Sequence, residues 1–356
     1  MAGAIPAGIY ATNLPQACKY ITNHCQAEVL ICGGNAQARK YIATHESPAA
    51  TSLKAIVVWN NDDEDVLDRS LSDQCGGVSI YTFEEFLQLG VMYRGDSAKS
   101  HTSLDQRLSY TQPGHCATII YTSGTTGPPK GAMLSHDNVT WCCANVMQSF
   151  LHGLTSPADR IVSYLPLSHV AAQLIDIHSP LFSGGCTYFA QSDALSGSLV
   201  NTLRDVHPTI FFGVPRVWEK IQERMVELGR QRGPWAQRIA AWAKAKGAAK
   251  SDMAQFGHSE AIPTCFSCAN ALVLSKVKEG LGLDQCYFAV CGAAPMAMET
   301  LQYFASLDIP IYEGFGQSEC SGPHTLSCDG AWKMGMYLIL SHLLMISLIS
   351  SCYILL

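Results

Sequence analysis

Short apolar runs alternate along the chain with stretches of helical period. Residues 14–25 predict a helix and 28–32 a strand, and 36–44 and 53–59 repeat the pair. Further strands are predicted over 117–121, 160–165, 209–214 and 287–291, with Pro215 ending the third. Helices are predicted over 135–150, 171–181 and 298–306; Ser135 and Asp137 both suit the N-cap of the first. Continuous apolar strands between amphipathic helices are the pattern of a parallel sheet covered on both faces. The expected fold is α/β, with mainly parallel sheets flanked by helices and a ligand crevice at the carboxyl ends of the strands.

Three stretches depart from this pattern. Residues 93–113 are polar and aperiodic, which predicts a linker or surface loop, and 60–65 form an acidic loop. Residues 216–229 form a strongly amphipathic helix with Val217, Trp218, Ile221, Met225 and Leu228 on one face. A Gly233-Pro234 break separates it from a second helix over 235–246. Residues 216–250 hold nine Lys/Arg against three Glu. Such an island is either a solvated helical face or a contact for an anionic membrane or a phosphorylated cofactor. The third stretch is the end of the chain, uncharged for 23 residues after Lys333. That is long enough to cross a bilayer, which takes about 20 residues. It reads as a membrane anchor or, preferably, as an alternative end such as a translated intron.

Composition narrows the class. Only 15% of residues are charged and 48% are hydrophobic, the opposite of a disordered chain. The net charge of −6 argues against a nucleic-acid partner, which needs a basic face. Fifteen cysteines with no secretory leader predict a reduced, cytoplasmic protein. The uncharged end adds the expectation of contact with the endoplasmic reticulum or another intracellular membrane. Cys265 and Cys268 lack a second pair at zinc spacing. Neither oligomeric state nor a repeat is legible.

The stretch 121–131, YTSGTTGPPKG, carries the chemistry. Its glycines permit close backbone approach, so that N–H groups converge on phosphate oxygens while Ser and Thr hydroxyls add donors. Lys130 adds a positive charge, and Pro128 and Pro129 stiffen the segment that carries it. The loop is predicted to join a strand to a helix. It is not a Walker A loop, because Lys130 is followed by Gly131 rather than Ser or Thr.

This loop resembles the signature of the adenylate-forming enzymes, the acyl-CoA synthetases, luciferases and peptide-synthetase adenylation domains. Three further blocks agree in order: YLPLSH at 164–169, GAAP at 292–295 and FGQSE at 315–319. SYLPLSHVAAQ (163–173), GVPRVWEK (213–220) and SGPHTLS (321–327) resemble the long-chain fatty acyl-CoA synthetases, most closely their bubblegum-type branch. The resemblance runs over about residues 5–327. It implies a partial N-terminal α/β subdomain over 1–110, an AMP-binding α/β region over 111–327 and a divergent apolar tail over 328–356. Luciferase-like or amino-acid-adenylating chemistry is disfavoured by the SYLPLSH and GVPRVWEK blocks.

By this resemblance Ser123, Gly124, Thr125, Thr126, Gly127 and Lys130 would hold the phosphates of ATP. Gly292, Ala293 and Ala294 would form a close-packed wall for the adenine and the acyl chain. Phe315 and Gly316 would lie against the adenine, and Ser318 would bond the α-phosphate. Glu319 would hold Mg2+. His169 would sit near the carboxylate or acyl channel, beside 213–216; alone, it reads equally well as a helix cap. Lys130, Glu319 and His169 are the implied catalytic residues.

The implied reaction has two steps, with ATP, coenzyme A and a long-chain fatty acid as substrates. The carboxylate attacks the α-phosphorus to give acyl-adenylate and pyrophosphate, and the thiol of coenzyme A then expels AMP. The family's Tyr/Arg-Thr-Gly-Asp block, hinge and small C-terminal domain with its lysine have no counterpart after Ser327. The chain also begins inside the family's N-terminal region. The expectation is therefore impaired adenylation and more impaired thioester formation. The alternative is a non-catalytic nucleotide- or acyl-binding fragment, attached to a membrane by its tail.

Overall fold

The computed structural model describes residues 3–42, 52–59, 67–75, 77–95, 104–122, 127–150, 156–255, 262–328 and 332–336. The acidic loop at 60–65, Ser123, Gly124, Thr125 and Thr126, and the end of the chain from 337 lie outside these residues. The chain divides into two compact units between His136 and Asp137.

Among the described residues the first unit holds six strands: β1 (Ala7–Gly8), β2 (Val29–Gly33), β3 (Ala55–Trp59), β4 (Ser79–Thr82), β5 (Cys116–Thr122) and β6 (Lys130–Ser135). Strands β2, β3 and β4 form one parallel sheet. Its core is Leu30, Ile56, Val58, Leu71 and Ile80, packed against Ala38 and Tyr41 of the Gly34–Ile42 helix. β1 pairs parallel with β5, and β5 pairs antiparallel with β6. The YTSGTTGPPKG stretch therefore connects two strands of a hairpin, correcting the expected strand-to-helix turn. The helix begins at His136, directly after Ser135, the last residue of β6, so that Ser135 holds the N-cap position and Asp137 lies inside the first turn. Part of the expected polar loop is also helical: Phe83–Gly95 extends into it and Leu104–Tyr110 lies within it.

The second unit is built on a sheet of order β12-β11-β10-β9-β7-β8. The strands are β7 (Arg160–Ser163), β8 (Cys186–Phe189), β9 (Ile210–Gly213), β10 (Phe288–Cys291), β11 (Ile311–Gln317) and β12 (Gly322–Leu326). All neighbours run parallel except β11 and β12. Side chains alternate between the two faces of each strand. Phe211, Ala289 and Cys291 face a core built on Trp218 and Phe304. The ring centroid of Trp218 lies 5.2 Å from that of Phe211 and 4.9 Å from that of Phe304, both edge-on. Edge-on aromatic pairs add about 1 kcal/mol each beyond the area they bury. Ile210, Phe288 and Val290 face the other way, toward Met147, Leu174 and Trp332.

Two helices over this second face are interrupted. His136–Asn145 passes into a π-helical turn over Val146–Phe150, so the predicted helix 135–150 is two segments. Val170–Ala172 likewise passes through a π-helical turn, Gln173–His178, into Ser179–Ser183. Asp176 on the second turn is buried, and that burial pushes its pKa up to about 7. Val217, Trp218 and Ile221 are buried as predicted, but Leu228 is exposed because its helix, Pro215–Arg230, outruns the core.

Candidate ligand-binding site

A cavity of about 990 Å³, counting the part open to solvent, lies in the second unit against the second face of its sheet. Three walls are apolar. Ile161, Ile210, Phe212, Phe288 and Val290 come from the strands, and Val146, Met147, Leu174 and Ile175 from the two π-helical turns. An extra residue per turn widens a helix locally and re-aims the side chains there; such turns gather at functional sites. Leu326 and Gly322 of β12 close the remaining side.

The polar end of the cavity is made by segments the sequence had singled out. Gly292 and Ala293 follow β10, and Phe315, Gly316, Gln317 and Ser318 lie at the end of β11. Both are carboxyl ends of strands, where open α/β sheets bind ligands. Ala293 has φ +70°, a left-handed conformation that costs an alanine of order 1 kcal/mol. The turn therefore holds its shape against local preference, presenting backbone at the cavity edge.

The β11–β12 hairpin sets the aromatic group. Phe315 pairs with Thr325 and Gly316 with Pro323, which leaves His324 as the extra residue of a bulge. His324 stacks on Phe315 at 5.7 Å between centroids and 22° between planes. Phe315 nonetheless stays half-exposed, at 53%. Gly316 admits no side chain, because an added Cβ would lie 2.1 Å from the carbonyl oxygen of Gly322. The buried hydroxyls of Ser321 and Thr325 lack partners among the described residues.

His169 lines the cavity and caps a helix as well. Its Nδ1 accepts the Ala171 N–H at 3.1 Å. In the neutral ring the proton therefore sits on Nε2, leaving one donor for a ligand. Burial pushes its pKa down, which favours that neutral form.

The other predicted residues are distributed differently. Ala294 is exposed beside the cavity edge and Glu319 is half-buried just past Ser318; neither lines the cavity. Gly127 and Lys130 belong to the first unit, with Lys130 exposed at the start of β6. The strand and π-turn side chains and His324 were not singled out by the sequence. The continuous apolar runs at 209–214 and 287–291 predicted strands without marking which residues face a cavity.

A single carboxylate near a nucleotide is the way Mg2+ is commonly held, with phosphate oxygens and waters completing the shell. Among the described residues there is no cluster of three or more metal-ligating side chains. Glu319, a half-buried carboxylate directly after Ser318, fits a metal that arrives with its nucleotide rather than a dedicated metal cage.

Solved structures share this α/β fold. The anthranilate CoA ligase AuaEII in complex with anthranoyl-AMP aligns with TM-score 0.57 at 17% identity, over 94% of this chain and 49% of that one. The A domain of carboxylic acid reductase from Segniliparus rugosus, in complex with AMP and a co-purified carboxylic acid, aligns with TM-score 0.56 at 21% identity, over 90% of this chain and 45% of that one. These are adenylate-forming enzymes, and the fold is theirs. The chain belongs to the AMP-binding enzyme family, which matches residues 1–337.

Among curated relatives, the long-chain-fatty-acid–CoA ligase ACSBG2 of Gallus gallus is 44% identical over 336 residues, 94% of this chain and 41% of that protein. ACSBG2 of Homo sapiens is 39% identical over 334 residues, covering 94% and 47%. ACSBG1 of Homo sapiens is 40% identical over 337 residues, covering 94% and 43%. The chain thus spans less than half the length of these relatives. The family match also runs past Ser327, where the sequence blocks ended. The described residues beyond it are built into the second unit: Trp332 is buried 5.8 Å from the Tyr312 ring, and the Gly335 N–H donates to Glu313 Oε2 at 2.8 Å.

Proposed function

We propose that this chain serves long-chain fatty acid–CoA ligation: adenylation of a fatty acid by ATP, then transfer of the acyl group to coenzyme A. The carrying observation is a cavity with an apolar body and a polar, glycine-lined end. A fatty acid has the same division, an apolar chain ending in one carboxylate. The relatives' activity as long-chain-fatty-acid–CoA ligases supports the choice of acid.

In this reading the half-exposed face of Phe315, backed by His324, stacks an adenine. Ser318 and the backbone at Gly292, Ala293 and Ala294 border the nucleotide, and Gly316 keeps the strand slim there. The His169 Nε2–H donates to the substrate carboxylate. Ser123, Gly124, Thr125, Thr126, Gly127 and Lys130 hold the phosphates, and Glu319 holds Mg2+, which offsets phosphate charge when bound. A carboxylate is a poor electrophile because its leaving group would be oxide. Forming the mixed anhydride supplies a better leaving group, and the protein's part is positioning and charge stabilisation. A cytoplasmic setting belongs to the same proposal and is supported by buried thiols such as Cys18, Cys142 and Cys143.

A second reading is binding of nucleotide or acyl chain without turnover, for which the cavity and its polar end suffice. Two measurements separate the possibilities. A non-hydrolysable palmitoyl-adenylate analogue is expected to bind in calorimetry, with Phe315→Ala weakening it about tenfold. Absence of binding by the folded chain overturns both readings. Pyrophosphate release from ATP, palmitate and Mg2+ then identifies turnover. Where turnover occurs, Lys130→Ala and Glu319→Ala should each lower it about a hundredfold, equivalent to ~3 kcal/mol; unchanged rates refute those two roles.

A further inference from the structure

The Pro234–Ala254 helix buries small residues and exposes large ones. Ala243, Gly247 and Ser251 form its buried stripe, at spacing i, i+4, i+8. Trp235, Ile239 and Trp242 form a second stripe at i, i+4, i+7, and they are 76%, 47% and 37% exposed. At 100° per residue the two stripes lie roughly a quarter to a third of a turn apart. Packing within the unit explains the first stripe, and among the described residues the second is left largely exposed. Residues 227–239, which include the turn between this helix and Pro215–Arg230, are exposed without a break, so the hairpin tip stands clear of the core. Leu228, 44% exposed, adds a further apolar side chain at the tip.

The charge at the tip is positive. Arg230, Arg232, Arg238 and Lys246 fall between Leu228 and Ser251, a stretch with no acidic residue in a chain of net charge −6, whereas Lys244 lies over the Tyr303 ring and Lys250 pairs with Asp308. The glutamates of the preceding helix are committed upstream, Glu219 and Glu223 to Arg216 and Glu227 to Arg224. Arg230 and Arg232 have no ion-pair partner among the described residues, and the Arg238 guanidinium lies 5.4 Å over the Trp235 ring. Tryptophan beside arginine on a helix edge suits the boundary between lipid headgroups and acyl chains: the ring enters the boundary and the guanidinium stays with phosphate.

We propose that this hairpin tip docks on the surface of an anionic lipid bilayer, with Trp235, Ile239 and Trp242 entering the headgroup boundary and Arg230, Arg232 and Arg238 meeting lipid phosphates. An acidic protein surface would match the charge, but a flat bilayer better matches one extended stripe on a projecting tip. The surface is distinct from the cavity, and the inference does not depend on the reaction proposed for it.

The test uses the full chain with vesicles of phosphatidylcholine alone and with about 30% phosphatidylserine. Co-sedimentation with the anionic vesicles is expected, with release by about 0.5 M salt. Brominated acyl chains should quench tryptophan emission in the bound protein. Trp235→Ala with Trp242→Ala should lower vesicle affinity about tenfold or more. Arg230→Glu with Arg232→Glu should abolish the preference for anionic vesicles while leaving thermal unfolding unchanged, since both side chains are exposed. Equal binding to both vesicle types overturns the proposal. So does undiminished binding by both variants, which would assign attachment elsewhere, for example to the uncharged residues after Lys333. Absence of binding by the folded parent chain also overturns it.

Discussion

Two antiparallel hairpins interrupt the otherwise parallel sheets, β5–β6 in the first unit and β11–β12 in the second. Each carries one of the glycine-containing motifs that drew attention in the sequence, yet their glycines answer different demands. An added Cβ at Gly131 would lie 3.0 Å from Ile119 Cγ2 and 3.4 Å from Tyr121 Cζ, both parts of side chains that can shift. At Gly316 it would meet the Gly322 carbonyl oxygen at 2.1 Å and carbon at 2.7 Å, which are backbone. The anchors differ as well. At the first hairpin the buried Tyr121 hydroxyl is paired with His24 Nδ1 at 2.8 Å. At the second, the buried Glu313 carboxylate accepts a backbone N–H from Gly335. A glycine in a motif can thus mean tolerance of a neighbour's side chain or an absolute steric limit, and the sequence alone does not say which.

The largest test of this contrast is Gly316→Ala against Gly131→Ala. The former should cost about 3 kcal/mol or more in denaturant unfolding, because the chain paths themselves must separate; the latter should cost about 1 kcal/mol. Equal losses would erase the distinction. A smaller effect is expected from Tyr121→Phe, about 1 kcal/mol, because it removes the hydroxyl's hydrogen bonds to the half-buried His24 imidazole and to the Cys25 thiol. A stability unchanged within error would show that the hydroxyl does not anchor the hairpin.

The smallest effect is on pH dependence, through Glu313→Gln. Burial raises the pKa of Glu313 above its ordinary 4.5, outweighing the N–H bond from Gly335 that favours the charged form. The folded chain therefore holds a proton there that the unfolded chain releases. Stability should fall as pH rises from 4.5 through the raised value, and level off above it. Gln keeps an acceptor for Gly335 but does not titrate, so the variant should lack this part of the slope. Parallel pH profiles for parent and variant would contradict the assignment. Buried Asp176 contributes a slope of the same sign up to about pH 7 in both proteins.

Much of the frame was legible because burial leaves a mark in composition. Strands such as Val29–Gly33, Ala55–Trp59 and Phe288–Cys291 appear where apolar runs predicted them. Strand β6 did not, because Lys130 and Gly131 open it and Ser135 closes it, so half of it reads as turn. Helix Leu104–Tyr110 was hidden because it is exposed along the residues whose burial is described, and an exposed helix needs no apolar face. The polar end of the site was visible as small-residue and aromatic motifs. Its apolar walls were not, because a cavity-facing Leu174 and a core-facing Leu203 are the same letter in sequence. Nor could sequence show that His324 occupies a bulge, since that depends on register across a hairpin.

The π-helical turns at Val146–Phe150 and Gln173–His178 have an evolutionary consequence. Each contains one residue more than an ordinary helix would spend, so losing a single codon there would restore regular winding. Everything beyond the deletion would then swing by about 100° about the helix axis. Met147 or Leu174 could in this way be traded for a different neighbour at the cavity wall without any change of side-chain chemistry. Insertions and deletions of one residue, usually dismissed within helices, are here a route by which this scaffold could reshape what it accommodates.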